Sequence, residues 1–195
     1  EADARTALEL LTTRDIPLGD ALARALLIEA LIERGEVEAA ARELGDRGRE
    51  EIAAGMASND LLEARGLLRI AQGRMRDGLD DLVEFGHRDE LWGGANQLAS
   101  RWRSHAALAL AALGDVEGGR RMAADDLERA WRWGAASGVG IALRAAALVE
   151  GGAAALDRLP ESVKVLEGSP ARLEYARVLY DLGAPLRRAN RRAEA

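Results

Sequence analysis

With 195 residues, 48% hydrophobic but only 4% aromatic, the chain carries enough apolar surface for a core built from small side chains rather than large rings. A formal net charge of −6 makes it a poor counterion for nucleic acid. The absence of cysteine excludes a disulfide frame and thiolate metal sites.

In chain order, residues 1–11 read as a helix with Ala4, Ala7, Leu8 and Leu11 on one face, the second helix of an earlier unit. A connection holding Pro17 follows, and Asp20 is a plausible N-cap. Helices are then expected over Ala21–Glu33 and Glu36–Leu44, and over Leu61–Gln72, capped by Ser58 or Asn59, and Met75–Glu84. The next pairs are Ala99–Leu113 with Val116–Trp133, and Val139–Glu150 with a helix reaching about Leu166. Ser169-Pro170 is a start signal for Ala171–Arg188. Pro160 and Pro185 fall inside predicted helices, where an interior proline removes a backbone donor, so a kink or restart is expected at both.

The pairs turn at Gly35, Gly73, Gly114, Gly152 and Asn190, spaced 38, 41, 38 and 38 residues apart. A constant period in this range marks helix pairs that bury their apolar faces only by stacking. The long step holds an added loop, Gly86 to Asn96. Seven residues before the turns stand Ile28, Gly66, Ala107, Ala145 and Gly183; five after stand Ala40, Gly78, Gly119, Asp157 and Ala195. Small residues at matching heights on both helices let backbones approach, the packing logic of tetratricopeptide pairs. The expected fold is all-α: one domain over 1–195, an α-solenoid of about five tetratricopeptide-like pairs in a right-handed superhelix. Its period exceeds the tetratricopeptide value of about 34.

Motifs that carry chemistry are scarce. Lys164, the sole lysine, lies in Glu161-Ser162-Val163-Lys164 with no glycine-rich lead, so there is no P-loop. Gly138-Val139-Gly140 follows no strand and reads as a turn between repeats. The adjacent pairs Glu50-Glu51, Asp80-Asp81 and Asp125-Asp126 diverge by about 100° on a helix, which excludes a carboxylate dyad and reads as solvated surface. His105 has Arg101 one turn before it and no second ligand at metal spacing; His87 falls in the added loop and reads as solvent-facing. No catalytic residue, metal ligand or cofactor is expected.

Binding is the remaining class. Trp102 reads as packing, Trp92 as packing or a binding hot spot, and one of Trp131 and Trp133 as partly exposed. If first helices line a concave face, Glu29, Glu63, Arg101, Ser104, Tyr180 and Arg187 are the candidate groove residues, with Trp92 and Asn96 as a lip. The arginines 187, 188, 191 and 192 form a basic cluster that either is solvated or meets an acidic neighbour. No apolar run reaches the ~18 residues that span a bilayer, and the acidic start is unlike a signal peptide, so no membrane association and a cytoplasmic location are expected.

From about Asn59 onward, over roughly two-thirds of the chain, the sequence resembles the helical-repeat region of large ATP-binding LuxR-family, MalT-like transcriptional regulators. The resemblance rests on Glu63-Ala64-Arg65-Gly66-Leu67-Leu68-Arg69 through Arg74, and on Asn96 with Trp102-Arg103-Ser104 and Ala106 to Leu110. It also rests on Gly140-Ile141-Ala142-Leu143-Arg144, and on Leu166 to Glu174 with Asp181-Leu182-Gly183. The chain departs from the family at Gln97, where proline is common, and at Pro160 and Pro185. The resemblance implies a bacterial parent protein with an ATPase module before the repeats and a DNA-binding module after them. It implies a sensor region that takes an effector small molecule or a regulatory protein and controls ATP-dependent assembly, a homo-oligomer being one outcome. It implies no direct nucleic-acid binding by these repeats. The alternative is a protein-interaction scaffold without a small-molecule ligand.

Overall fold

The computed structural model describes residues 1–13, 17–45, 56–91, 93 and 100–188. All secondary structure among them is helical: α1 (Ala2–Thr13), α2 (Pro17–Glu33), α3 (Val37–Leu44), α4 (Met56–Ala71), α5 (Met75–Leu91), α6 (Trp102–Ala112), α7 (Val116–Trp133), α8 (Ala136–Glu150), α9 (Gly152–Glu167) and α10 (Arg172–Arg188). The chain forms two compact units, Glu1–Ala95 and Asn96–Ala195. In the first, α2 packs on α1, α3 and α4, and α4 pairs with α5. In the second, neighbours pair in order from α6 to α10, and the first helices also touch, α6 on α8 and α8 on α10. The units are therefore layers of helix pairs, as the periodicity requires. No helix among the described residues is long and apolar enough to cross a membrane.

Three turns share one backbone solution. The amides of Gly35, Gly73 and Gly114 bond the carbonyls of Ile32, Ile70 and Ala111. The amides of Glu36, Arg74 and Asp115 reach Leu31, Arg69 and Leu110, in the pattern that satisfies a helix's last carbonyls through a left-handed residue. Glycine holds that position in each, with φ between 77° and 94°. Asp115 also caps α7, accepting from the Gly118 amide at 2.8 Å. Asp115→Ala should cost about 1 kcal/mol, read as a lowered urea midpoint at unchanged m-value.

The small residues do meet. A Cβ on Gly78 would lie 2.6 Å from the Gly66 carbonyl, and one on Gly119 would lie 2.8 Å from that of Ala107. The fourth pair departs from the expected register. Its turn lacks the shared pattern: the Gly151 amide bonds Ala147, and α9 starts at once with Gly152. The buried residues of α7 (Gly119, Ala123, Asp126, Ala130) recur in α9 as Ala155, Leu159, Ser162 and Leu166, so the structural step here is 36 residues (119 to 155, 126 to 162). Ala155, not Asp157, fills the close-packed position, and Asp157 is exposed.

Several boundaries move. The α5 helix runs on to Leu91, so the segment from Gly86 to Leu91 is helical rather than looped, and exposed His87 sits on it. The α2 and α4 helices start earlier than expected. Asp20 is thereby an inner residue paired with Arg24 at 3.1 Å, and Ser58 and Asn59 lie within α4 rather than capping it. At the other start signal, Ser169 Oγ accepts from the Ala171 amide at 3.2 Å, and α10 opens at Arg172. Pro160 and Pro185 do not break α9 or α10, each of which runs through its proline, and Pro160 itself is exposed. Asn190, Arg191, Arg192, Ala195 and the Glu50-Glu51 pair lie outside the described residues.

Candidate functional site

In the second unit, charged side chains from three first helices form one seam. Arg101, at the head of α6, donates from Nη1 to Glu174 Oε1 of α10 at 2.7 Å. Arg177, one turn along α10, shares the same carboxylate oxygen. From α8, Arg144 donates through Nε to Asp181 Oδ2 of α10 at 2.6 Å. Glu174 is 5% exposed, and these guanidiniums are its partners in that buried setting.

His105 lies among the three arginines. The residue as a whole is partly exposed, but Nδ1 is buried and without a hydrogen-bond partner. Burial, then the positive fields of Arg101, Arg177 and Arg144, lower its pKa from 6.5 to about 3. Between those values the unfolded chain binds a proton that the folded one refuses. Stability is thus complete above pH 6.5 and falls with pH by up to about 1.4 kcal/mol per unit. Wild type should lose about 2 kcal/mol more than His105→Gln between pH 6.5 and 5. Parallel urea midpoints in the two proteins would refute this.

A second cluster joins α6 to α7. Ser104 Oγ donates to Asp126 Oδ2 at 2.5 Å, and both residues are buried. Burial raises the Asp126 pKa, while the Ser104 bond and Arg103 oppose the shift. Arg103 lies 4.3 Å from the Trp102 ring centre and 3.3 Å from Asp125. In the first unit, Arg65 holds Asp81 by two bonds, Nε to Oδ2 at 2.9 Å and Nη2 to Oδ1 at 2.7 Å. Arg69 adds a third at 2.7 Å. One member of each of the two described acidic pairs, Asp81 and Asp126, is therefore turned inward, contrary to the solvated reading.

The candidate groove residues separate. Arg101 joins the seam, whereas Ser104 and Glu63 are buried, Ser104 against α7 rather than in an open groove. Glu29 is partly buried on α2. Tyr180, 81% exposed, and Arg187 share the outer face of α10, where the Arg187 guanidinium lies over Gly183. Trp92 and Asn96 lie outside the described residues. Trp102 is packed as expected, but Trp131 and Trp133 are both about half exposed, because the end of α7 has solvent on two sides. An open cleft in the first unit, lined by Val37, Glu38, Ala41, Ala71 and Gln72, contains none of the candidates. Among the described residues no group of three His, Asp or Glu could hold a metal ion.

The seam was hidden from sequence because its partners lie far apart: Arg101 and Glu174 are separated by 73 residues. The one available signal was Arg101 a turn before His105. No protein-family model, curated protein or solved structure matches the chain.

Proposed function

We propose that the chain is a non-catalytic sensor and regulatory helical-repeat domain of a LuxR-type transcriptional regulator, acting in the cytoplasm on behalf of neighbouring ATPase and DNA-binding modules. The observation that carries this reading is the seam: ionic contacts, not only apolar packing, tie α6 and α8 to α10. An anionic effector or the acidic surface of a regulatory protein competes for Arg101, Arg144 and Arg177. Occupancy then favours one arrangement of the three helices in proportion to its differential affinity. The resemblance of Trp102-Arg103-Ser104 and the Gly140–Arg144 segment to the regulator family supports the same reading.

The test is titration calorimetry with small carboxylates and phosphate esters on wild type and Arg144→Met. The expected result is a heat of binding in wild type that Arg144→Met loses. A binder at 100-fold its Kd should stabilise the fold by about 2.7 kcal/mol in a melting experiment. No heat with any anion, together with no regulatory protein retained in a pull-down, sinks the proposal. The scaffold alternative draws on a different observation, the exposed apolar side chains of α10.

A further inference from the structure

The ion pairs of the seam differ in what backs them. Glu174 and Arg177 stand three residues apart on α10, so their bond involves no other helix. The Arg144–Asp181 bond joins α8 to α10, two helices that also pack on each other. The Arg101–Glu174 bond crosses from α6 to α10, and these helices each pack on α8 rather than substantially on one another. It is thus an ionic contact with little packing behind it. Arg101 is also the most exposed of the three arginine side chains, at 33% against 23% for Arg177 and 20% for Arg144.

Glu174 lets that contact open. A buried carboxylate stripped of its partners is costly, but Glu174 holds both Arg101 and Arg177 on one oxygen, so release of Arg101 leaves Arg177 in place. Asp181 keeps Arg144 in the same event. Two carboxylates then face two guanidiniums, and Arg101 carries the one positive charge in excess. The neighbouring charges between α6 and α7 are engaged there: Arg103 lies 3.3 Å from Asp125, and Asp126 accepts from Ser104.

We infer that Arg101 is the effector-binding residue of the seam, that its ligand is a small, singly charged carboxylate, and that this ligand and Glu174 hold Arg101 by turns. A carboxylate matches the guanidinium fork with two parallel bonds. A single negative charge cancels the excess, whereas a dianion brings one charge too many beside Glu174 and Asp181. With the other two arginines kept in their pairs, the site offers one fork, enough for one carboxylate and not for an acidic protein surface. The bound and clasped states exclude each other, so occupancy unclasps α6 from α10 while α8 keeps both. Arg144→Met still abolishes binding, because it removes the excess charge. This names the effector class in the regulatory reading above and rests on that reading.

The probe is acetate, titrated into the whole chain carrying isotope-labelled histidine, with sodium chloride at matched ionic strength as the blank. His105 reports on Arg101, whose field is, after burial, the largest influence on its ring. His87, exposed on α5 in the other unit, is the internal control and the only other histidine. At about pH 7.5, where acetate is fully ionised, it should shift the His105 resonances saturably and leave those of His87 in place. Sulfate, doubly charged, should bind more weakly. Arg101→Gln should abolish the response and keep the wild-type circular dichroism, because Arg177 still holds Glu174. Glu174→Gln removes the competitor and should tighten acetate binding by about fivefold or more. A His105 signal that acetate leaves unmoved, or one that still moves in Arg101→Gln, overturns the inference, as does sulfate binding tighter than acetate. Phosphate esters or a regulatory protein that bind wild type and not Arg144→Met would then leave the regulatory reading standing without it.

Discussion

Asp81→Ala is expected to destabilise the first unit by about 3–5 kcal/mol, because it strips the shared carboxylate from two guanidiniums in a buried setting. Asp81 is 5% exposed and accepts three hydrogen bonds from Arg65 and Arg69. Burial lowers the Arg69 pKa and Arg65 adds to that, with Asp81 the main opposing influence. Removing the carboxylate therefore leaves both repulsion and desolvation in place. Asp81→Asn keeps one acceptor oxygen and should lose less. Urea unfolding measures both; a loss under about 1 kcal/mol for the alanine variant would mean that other groups or water replace the carboxylate readily.

Gly78→Leu is expected to cost about 3 kcal/mol or more, through overpacking of the α4–α5 pair. A Cβ there meets the Gly66 carbonyl and Ile70 Cγ1, both at 2.6 Å, and the carbonyl belongs to a helical backbone that yields only if the helices part. Gly119→Leu should act alike against Ala107, where the distance is 2.8 Å. Gly138 is the control. Nothing lies within 4 Å of its Cβ position, so Gly138→Ala should stabilise by roughly 0.5–1 kcal/mol through helix propensity and lost unfolded-state freedom. Melting temperatures of the three variants decide the matter, and a Gly78→Leu protein as stable as wild type would remove close approach as the reason for glycine.

Much of this architecture was legible because its causes are local. Glycine at the turns and small residues at fixed offsets from them are recorded in the sequence by position, and Gly66 with Gly78 and Ala107 with Gly119 meet as that spacing requires. The fourth pair departs because its turn at Gly151-Gly152 lacks the backbone pattern of the other three, so a fixed offset from the glycine no longer applies. Counting five residues from Gly152 reaches Asp157, although burial of Ala155 fixes the register two residues earlier. The site was less legible. Whether a charged residue faces solvent or a partner depends on what packs above it, so Asp81 and Asp126 looked like their neighbours, exposed Asp80 and partly exposed Asp125. Ser104 drew notice as a groove residue and is instead a buried donor between α6 and α7.

The reach of the Arg101–Glu174 bond has a kinetic consequence. Most packing in the second unit joins helices adjacent in the chain. Such a fold has low contact order and should assemble quickly, pair by pair. A bond spanning 73 residues closes a long loop, so it should form after the pairs it ties are in place. An interaction made that late has little influence on the rate of folding. It acts on the rate of unfolding, and so sets how long the three helices stay clasped before any one lets go.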